Sequence, residues 1–162
     1  MTKAEAAEEL LRRRQARREL DTWNRAIGNI PAKHHQLINR KLQEITESET
    51  PRYIIILMPP GAAKSTYASV AFPPWYLGKR PGCSILACSY SYTLAENFGR
   101  KARDLASLYE TTLGYNLKQD TKSAVNEKRG SKLERVGNND LAGFTAGRRD
   151  RLGIFELCFA VC

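Results

Sequence analysis

Lys64, Ser65 and Thr66 stand in a row directly behind a loop of small residues, Pro59-Pro60-Gly61-Ala62-Ala63. A nucleoside triphosphate needs backbone N–H groups curled round its phosphates, a helix N-terminus aimed at them, a lysine, and a hydroxyl for Mg²⁺. In that chemistry Lys64 bridges the β- and γ-phosphates and Ser65 ligates the metal. Pro60, Gly61, Ala62, Ala63 and Thr66 complete the cradle. The match to G-x-x-x-x-G-K-[ST] is imperfect, because Met58 and Ala63 occupy the two glycine positions. A structural turn in an α/β protein is the alternative reading.

The elements on either side favour the phosphate reading. Tyr53-Ile54-Ile55-Ile56-Leu57 is an unbroken, mostly β-branched run, as in a strand buried on both faces of a parallel sheet. A short helical stretch follows the loop through Val70, and Pro73-Pro74 is expected to end it. Ser84 to Ser89 is a second apolar strand. Thr93 to Tyr109 is an amphipathic helix with Leu94, Phe98, Leu105 and Leu108 toward a core. The order strand–loop–helix–strand–helix is βαβ grammar, so the expected class is an α/β parallel sheet with helices on both faces.

Residues 1–50 form an expected N-terminal helical segment. Thr2 and Glu5 are spaced for a capping box, and a helix runs on to about Leu20. Its basic run Arg12, Arg13, Arg14, Arg17 and Arg18 reads as a solvated face in preference to a DNA-binding arm. Trp23, Ile27 and Ile30 give a weak apolar spacing before Pro31. From Lys33 to Thr46, Leu37, Ile38, Leu42 and Ile45 recur at helical spacing. Residues 51–162 are the expected nucleotide-binding core. Within it, 114–147 reads as loops with short strands, and Arg151 to Glu156 as the start of another buried strand.

The chain has 162 residues with 42% apolar and 27% charged content, enough for one ordinary domain and too structured in composition for disorder. Its apolar runs fall far short of the ~20 residues of a membrane span. The cysteines (Cys83, Cys88, Cys158, Cys162) follow no zinc or C-x-x-C spacing, which points to a reduced, cytoplasmic protein. A balance of 26 Lys+Arg against 17 Asp+Glu, net +9, suits a protein working near polyanions.

The segment Met58-Pro59-Pro60-Gly61-Ala62-Ala63-Lys64-Ser65-Thr66-Tyr67-Ala68-Ser69 closely resembles the variant Walker A segment of phage and prophage terminase large subunits, the motors that package DNA into capsids. His34-His35-Gln36-Leu37, Phe72-Pro73-Pro74-Trp75-Tyr76-Leu77-Gly78, Ser89-Tyr90-Ser91 and Leu94-Ala95-Glu96-Asn97-Phe98-Gly99-Arg100 are similar to further landmarks of that family. Together they cover roughly residues 30 to 108. The resemblance implies an additional-strand P-loop ATPase core binding ATP and Mg²⁺. It makes Gln36 a candidate reader of adenine, since its amide both donates and accepts, against an exposed helix residue as the alternative. His34 and His35 have no visible metal partners and read as surface or packing residues. Arg100, Lys101 and Arg103 are candidate contacts to DNA phosphates or a solvated helix face. Implied partners are double-stranded DNA, a small terminase subunit and a portal protein in a bacterial host cytoplasm, with no membrane; ring-like homo-oligomers belong to intact relatives.

Departures from the family pattern bear on catalysis. Gly61-Ala62-Ala63 carries no arginine to sense the γ-phosphate, and Arg148 or Arg149 are the substitutes at hand. The approach to the Walker B strand ends in Glu156, in the position of the Mg²⁺-holding acid, followed by Leu157 where a second acid normally polarises water. Lys64 and Glu156 are thus the candidate catalytic residues, with Ser65 and Glu156 on the metal. Leucine can neither accept a proton nor orient water, so hydrolysis is expected to be impaired. The nuclease domain and the strands flanking the Walker A strand would lie beyond Cys162, so the expectation is an incomplete sheet, from an interrupted reading frame or a clipped boundary. Three readings follow: a terminase large-subunit ATPase fragment, an inactive prophage remnant that binds nucleotide or DNA, and another helicase-like P-loop ATPase.

Overall fold

In the computed structural model, which describes residues 2–50, 52–81, 83, 85–89, 91–117, 145–146 and 159–161, Thr2 and Glu5 open the first helix as their spacing predicts. Thr2 Oγ1 accepts from the Glu5 N–H at 3.3 Å and Glu5 Oε2 accepts from the Thr2 N–H at 2.8 Å. Helix α1 (Lys3–Arg18) ends on Arg17 and Arg18, cations that complement the negative end of the helix dipole. Helix α2 (Leu20–Ala26) follows at once and buries Leu20, Trp23 and Asn24.

Helix α3 (Lys33–Glu47) turns Ile38, Leu42, Asn39 and Thr46 inward. Leu37 does not join them: it is exposed, because it lies about 100° round the helix from the stripe through 38, 42 and 46. Asn39 donates to Asp21 Oδ1 at 3.0 Å and its own Oδ1 accepts from Asn24 at 3.2 Å, so the buried amides are paired. No basic residue stands in the last turn of α3. Arg80 supplies the missing cation from elsewhere, its Nε and Nη2 both donating to the Thr46 carbonyl at 3.2 and 2.8 Å.

The segment 53–57 corrects the expected doubly buried strand. Tyr53, Ile55 and Leu57 are 97%, 83% and 75% exposed, while Ile54, Ile56 and Met58 lie against the core. Burial alternates along the segment as on an extended chain, yet it joins no ladder among the described residues. A β-branched run fixes extension; burial on both faces takes neighbouring strands as well.

The prolines correct a second expectation. Helical structure opens at Lys64, continues as a π-helix over Thr66–Ala71, and passes directly into α4 (Phe72–Lys79). Pro73 and Pro74 sit in the first turn of α4, where a missing N–H costs little. The wider π turn, with the Phe72 N–H reaching the Tyr67 carbonyl, makes the junction. Both prolines are fully buried.

Strand β1 (Ile85–Ser89) lies at the centre of a short mixed sheet, parallel to β2 (Thr145–Ala146) and antiparallel to β3 (Phe159–Val161). Helix α5 (Tyr92–Leu108) packs beside it, burying Ala95, Gly99, Ala102 and Ala106. The expected leucine face is therefore displaced: Leu94, Phe98 and Leu105 flank the small-residue stripe, and Leu108 is exposed. Small side chains let α5 come close to its neighbours, and the larger ones fill the margins. Helix α6 (Glu110–Leu113) stops at Gly114, whose φ of 85° suits glycine. Arg17 donates to the exposed Thr111 and Thr112 carbonyls at that end.

Leu20, Trp23, Leu42, Phe72, Trp75, Leu77 and Ile85 belong to one buried cluster. The N-terminal helices and the helix behind the loop thus share a core. Among the described residues, no helix is long and apolar enough to cross a membrane.

Candidate functional site

Two residues of the loop take the left-handed backbone region, Gly61 at φ 82° and Ala63 at φ 52°. Glycine reaches that region freely; alanine does so only against steric resistance of about 1–2 kcal/mol. Ala63 stands at the second glycine position of the phosphate-loop pattern, so the backbone adopts there a conformation suited to the missing glycine. The Ala62 N–H returns to the Pro59 carbonyl at 3.3 Å, closing the turn. The Ala63 carbonyl accepts from the N–H groups of Thr66 and Tyr67 at 3.0 and 3.3 Å, which starts the helix.

The N–H groups of Ala63, Lys64 and Ser65 make no backbone hydrogen bond among the described residues. They are the unsatisfied donors that any helix start presents, here following a loop of left-handed turns that gathers successive amides. Lys64 and Ser65 are half-buried, and Pro60, Gly61, Ala63 and Thr66 are exposed. Among the described residues no carboxylate pairs with the Lys64 ammonium. A free cation beside free N–H groups has the chemistry of an anion site.

The loop is tied to α3 by a residue that sequence reasoning assigned to surface or packing. His35 Nε2 lies 3.0 Å from the Ala62 carbonyl, and His35 Nδ1 accepts the Ala32 N–H at 3.2 Å. An accepting Nδ1 carries no proton, so in the neutral ring the proton is on Nε2, and Nε2–H donates to Ala62. The imidazole also stacks on Tyr67, with centroids 4.1 Å apart and planes 19° from parallel. Tyr67 is buried, and burial pushes its phenol pKa up, with the Asp21 carboxylate adding to the shift. The available signal was the place of His35 at the third position of a helix entered through Pro31-Ala32, where a capping side chain reaches back.

Gln36 points its contacts elsewhere. Its amide donates to the Pro31 carbonyl at 3.2 Å. It also lines a groove of about 420 Å³ in which the carboxylates of Glu19, Asp21, Glu44 and Glu47 outnumber the one guanidinium, Arg40, a balance that disfavours a phosphate. Arg100 bonds Asn97 Oδ1 at 2.7 Å, and Arg100 and Lys101 are exposed while Arg103 is half-buried. Glu156, Leu157, Arg148 and Arg149 lie outside the described residues. Among the described residues no cluster of His, Cys, Asp or Glu is arranged to hold a metal ion. The chain matches no model of a protein family, no curated protein and no solved structure.

Proposed function

We propose that the chain is the ATP-binding core of a terminase large-subunit type ATPase, an α/β P-loop protein whose 58–66 loop cradles the phosphates of Mg-ATP. One observation carries the reading: a left-handed Ala63 delivers to the start of a helix N–H groups and a Lys64 ammonium that have no partner among the described residues. The residues present fit a triphosphate on its anionic side. Lys64 would neutralise the β- and γ-oxygens, the N–H groups of 63–65 would donate to the remaining phosphate oxygens, and the Ser65 hydroxyl would ligate the metal. Mg²⁺, when bound, supplies charge neutralisation on the phosphates. Glu156 is the proposed acid on the metal side, and Gln36 the proposed contact to adenine.

The motif run from residue 30 to 108 supports the packaging-motor assignment. With it come the proposed partners: double-stranded DNA, a small terminase subunit and a portal protein, in a host cytoplasm. The net charge of +9 agrees with a polyanionic partner.

Leu157 favours a second reading, nucleotide binding without turnover, because no acid follows Glu156 to polarise water. Mg-ATP binding and turnover on the purified chain, with and without duplex DNA and beside Lys64→Ala, separates the two. Turnover lost in Lys64→Ala supports a working motor core. Lys64-dependent binding without turnover supports the inactive reading. Equal affinity in both proteins removes the site assignment.

A further inference from the structure

We infer that His35 is a positioning residue, holding the Ala62–Ala63 peptide so that the Ala63 N–H faces the phosphate side of the loop. The inference rests on the phosphate-loop reading for its ligand but not for its geometry. The Ala62–Ala63 peptide is trans, and in a trans peptide the C=O and N–H point in opposite directions. His35 Nε2–H holds the Ala62 carbonyl at 3.0 Å, so the Ala63 N–H is directed away from α3. Were the peptide to flip, a carbonyl oxygen would replace that donor and oppose any anion.

The hold matters because Ala63 sits at φ 52°, a conformation its own backbone disfavours. Left to local energetics, the peptide would relax toward the ordinary helical or extended regions. His35 resists this with three contacts. The Ala32 N–H on Nδ1 fixes the tautomer, the Tyr67 ring fixes the imidazole plane, and Nε2 fixes the loop. Tyr67 is buried in the π-helical stretch that follows the loop. One side chain therefore ties the start of α3, the loop and the helix behind it into a single unit.

The test compares wild type with His35→Phe and His35→Gln. Phenylalanine keeps a ring to stack on Tyr67 and removes the donor; glutamine places an amide donor near the Nε2 position. Amide hydrogen exchange at Ala62, Thr66 and Tyr67, whose N–H groups are hydrogen-bonded in the loop and the turn behind it, is read on the nucleotide-free protein, and Mg-ATP affinity is read separately. His35→Phe is expected to speed exchange at these amides about tenfold, the scale of one lost hydrogen bond, while α1 and α5 stay as slow as in wild type. His35→Gln is expected to restore slow exchange. Where wild type binds Mg-ATP, affinity is expected to fall in His35→Phe and to recover in His35→Gln.

Unchanged loop exchange in His35→Phe overturns the inference, as does acceleration spread evenly over the whole chain. If His35→Phe fails to fold, His35→Gln decides alone, and fast loop exchange in that variant overturns the inference. A wild type that binds no Mg-ATP removes the proposed function, and the exchange data still decide the role of His35.

Discussion

The indole N–H of Trp23 donates to the Ala71 carbonyl at 2.8 Å, at the junction between the π-helical stretch and α4. A return stitch runs from the Trp75 indole to the Ala16 carbonyl at 3.0 Å. Both indoles are buried, so each bond joins the N-terminal helices to the helix behind the loop out of reach of water. Trp23→Phe keeps most of the apolar ring and leaves the Ala71 carbonyl without the indole donor. The expected loss is about 1–3 kcal/mol, against about 3–5 kcal/mol for Trp23→Ala. Urea midpoints at constant slope measure both. A wild-type midpoint for Trp23→Phe would show that the indole bond contributes nothing.

Helix positions were legible in the sequence wherever the cause is local. The Thr2–Glu5 box, the 33–47 helix and the 92–108 helix all follow from capping and period. What depends on a neighbour was not legible. The leucines of α5 carry the stronger hydrophobic signal, yet Ala95, Gly99, Ala102 and Ala106 face inward because close approach rewards small side chains. The run Tyr53 to Leu57 specifies an extended backbone and says nothing about which strands flank it. Pro73-Pro74 reads as a stop, but at the head of a new helix the missing N–H groups are not needed. Lys64 and Ser65 are candidates that spacing alone offers. The bond from His35 to Ala62 spans 27 positions and has no period to reveal it.

Glu9 offers a test at low pH. Hydrogen bonds from Arg12 and then Arg13 hold its carboxyl at about 2, below its ordinary 4.5. A depressed carboxylate contributes stability that is present above about 4.5 and lost as the pH falls toward about 2. The stability difference between wild type and Glu9→Gln is therefore expected to narrow across that window and to vanish below it. The groups lie at the surface, so added salt is expected to shrink the difference. Side-chain NMR titration gives the value directly, and a Glu9 midpoint near 4.5 would remove the pairing.

Tyr115 reports at the opposite extreme. Its hydroxyl donates to the Pro74 carbonyl at 3.0 Å, and burial, with the Glu110 carboxylate adding to it, pushes its pKa well up. A phenol raised above its unfolded value of about 10 contributes stability that is complete below that pH and is lost as the pH climbs past it. Tyr115→Phe is expected to cost about 1 kcal/mol at neutral pH. The gap to wild type should close in alkali. A gap that stays constant from pH 8 to 12 would mean that the phenol ionises without hindrance in the folded chain.

Ala63 and Gly61 make opposite predictions from neighbouring positions. At φ 52° Ala63 carries a steric penalty that glycine lacks, so Ala63→Gly recovers about 1–2 kcal/mol. Glycine gives back roughly 0.5–1 kcal/mol through its freer unfolded chain, leaving a net gain of at most about 1.5 kcal/mol. Gly61→Ala runs the other way. No atom lies within 4 Å of a Cβ built there, so nothing is displaced and the whole cost, about 1 kcal/mol, is backbone conformation at φ 82°. Denaturation midpoints of the two variants should therefore move apart, Ala63→Gly upward and Gly61→Ala downward. Both moving downward would mean that Ala63 is not held in the left-handed region, and the free N–H groups of the loop would lose the geometry that gathers them.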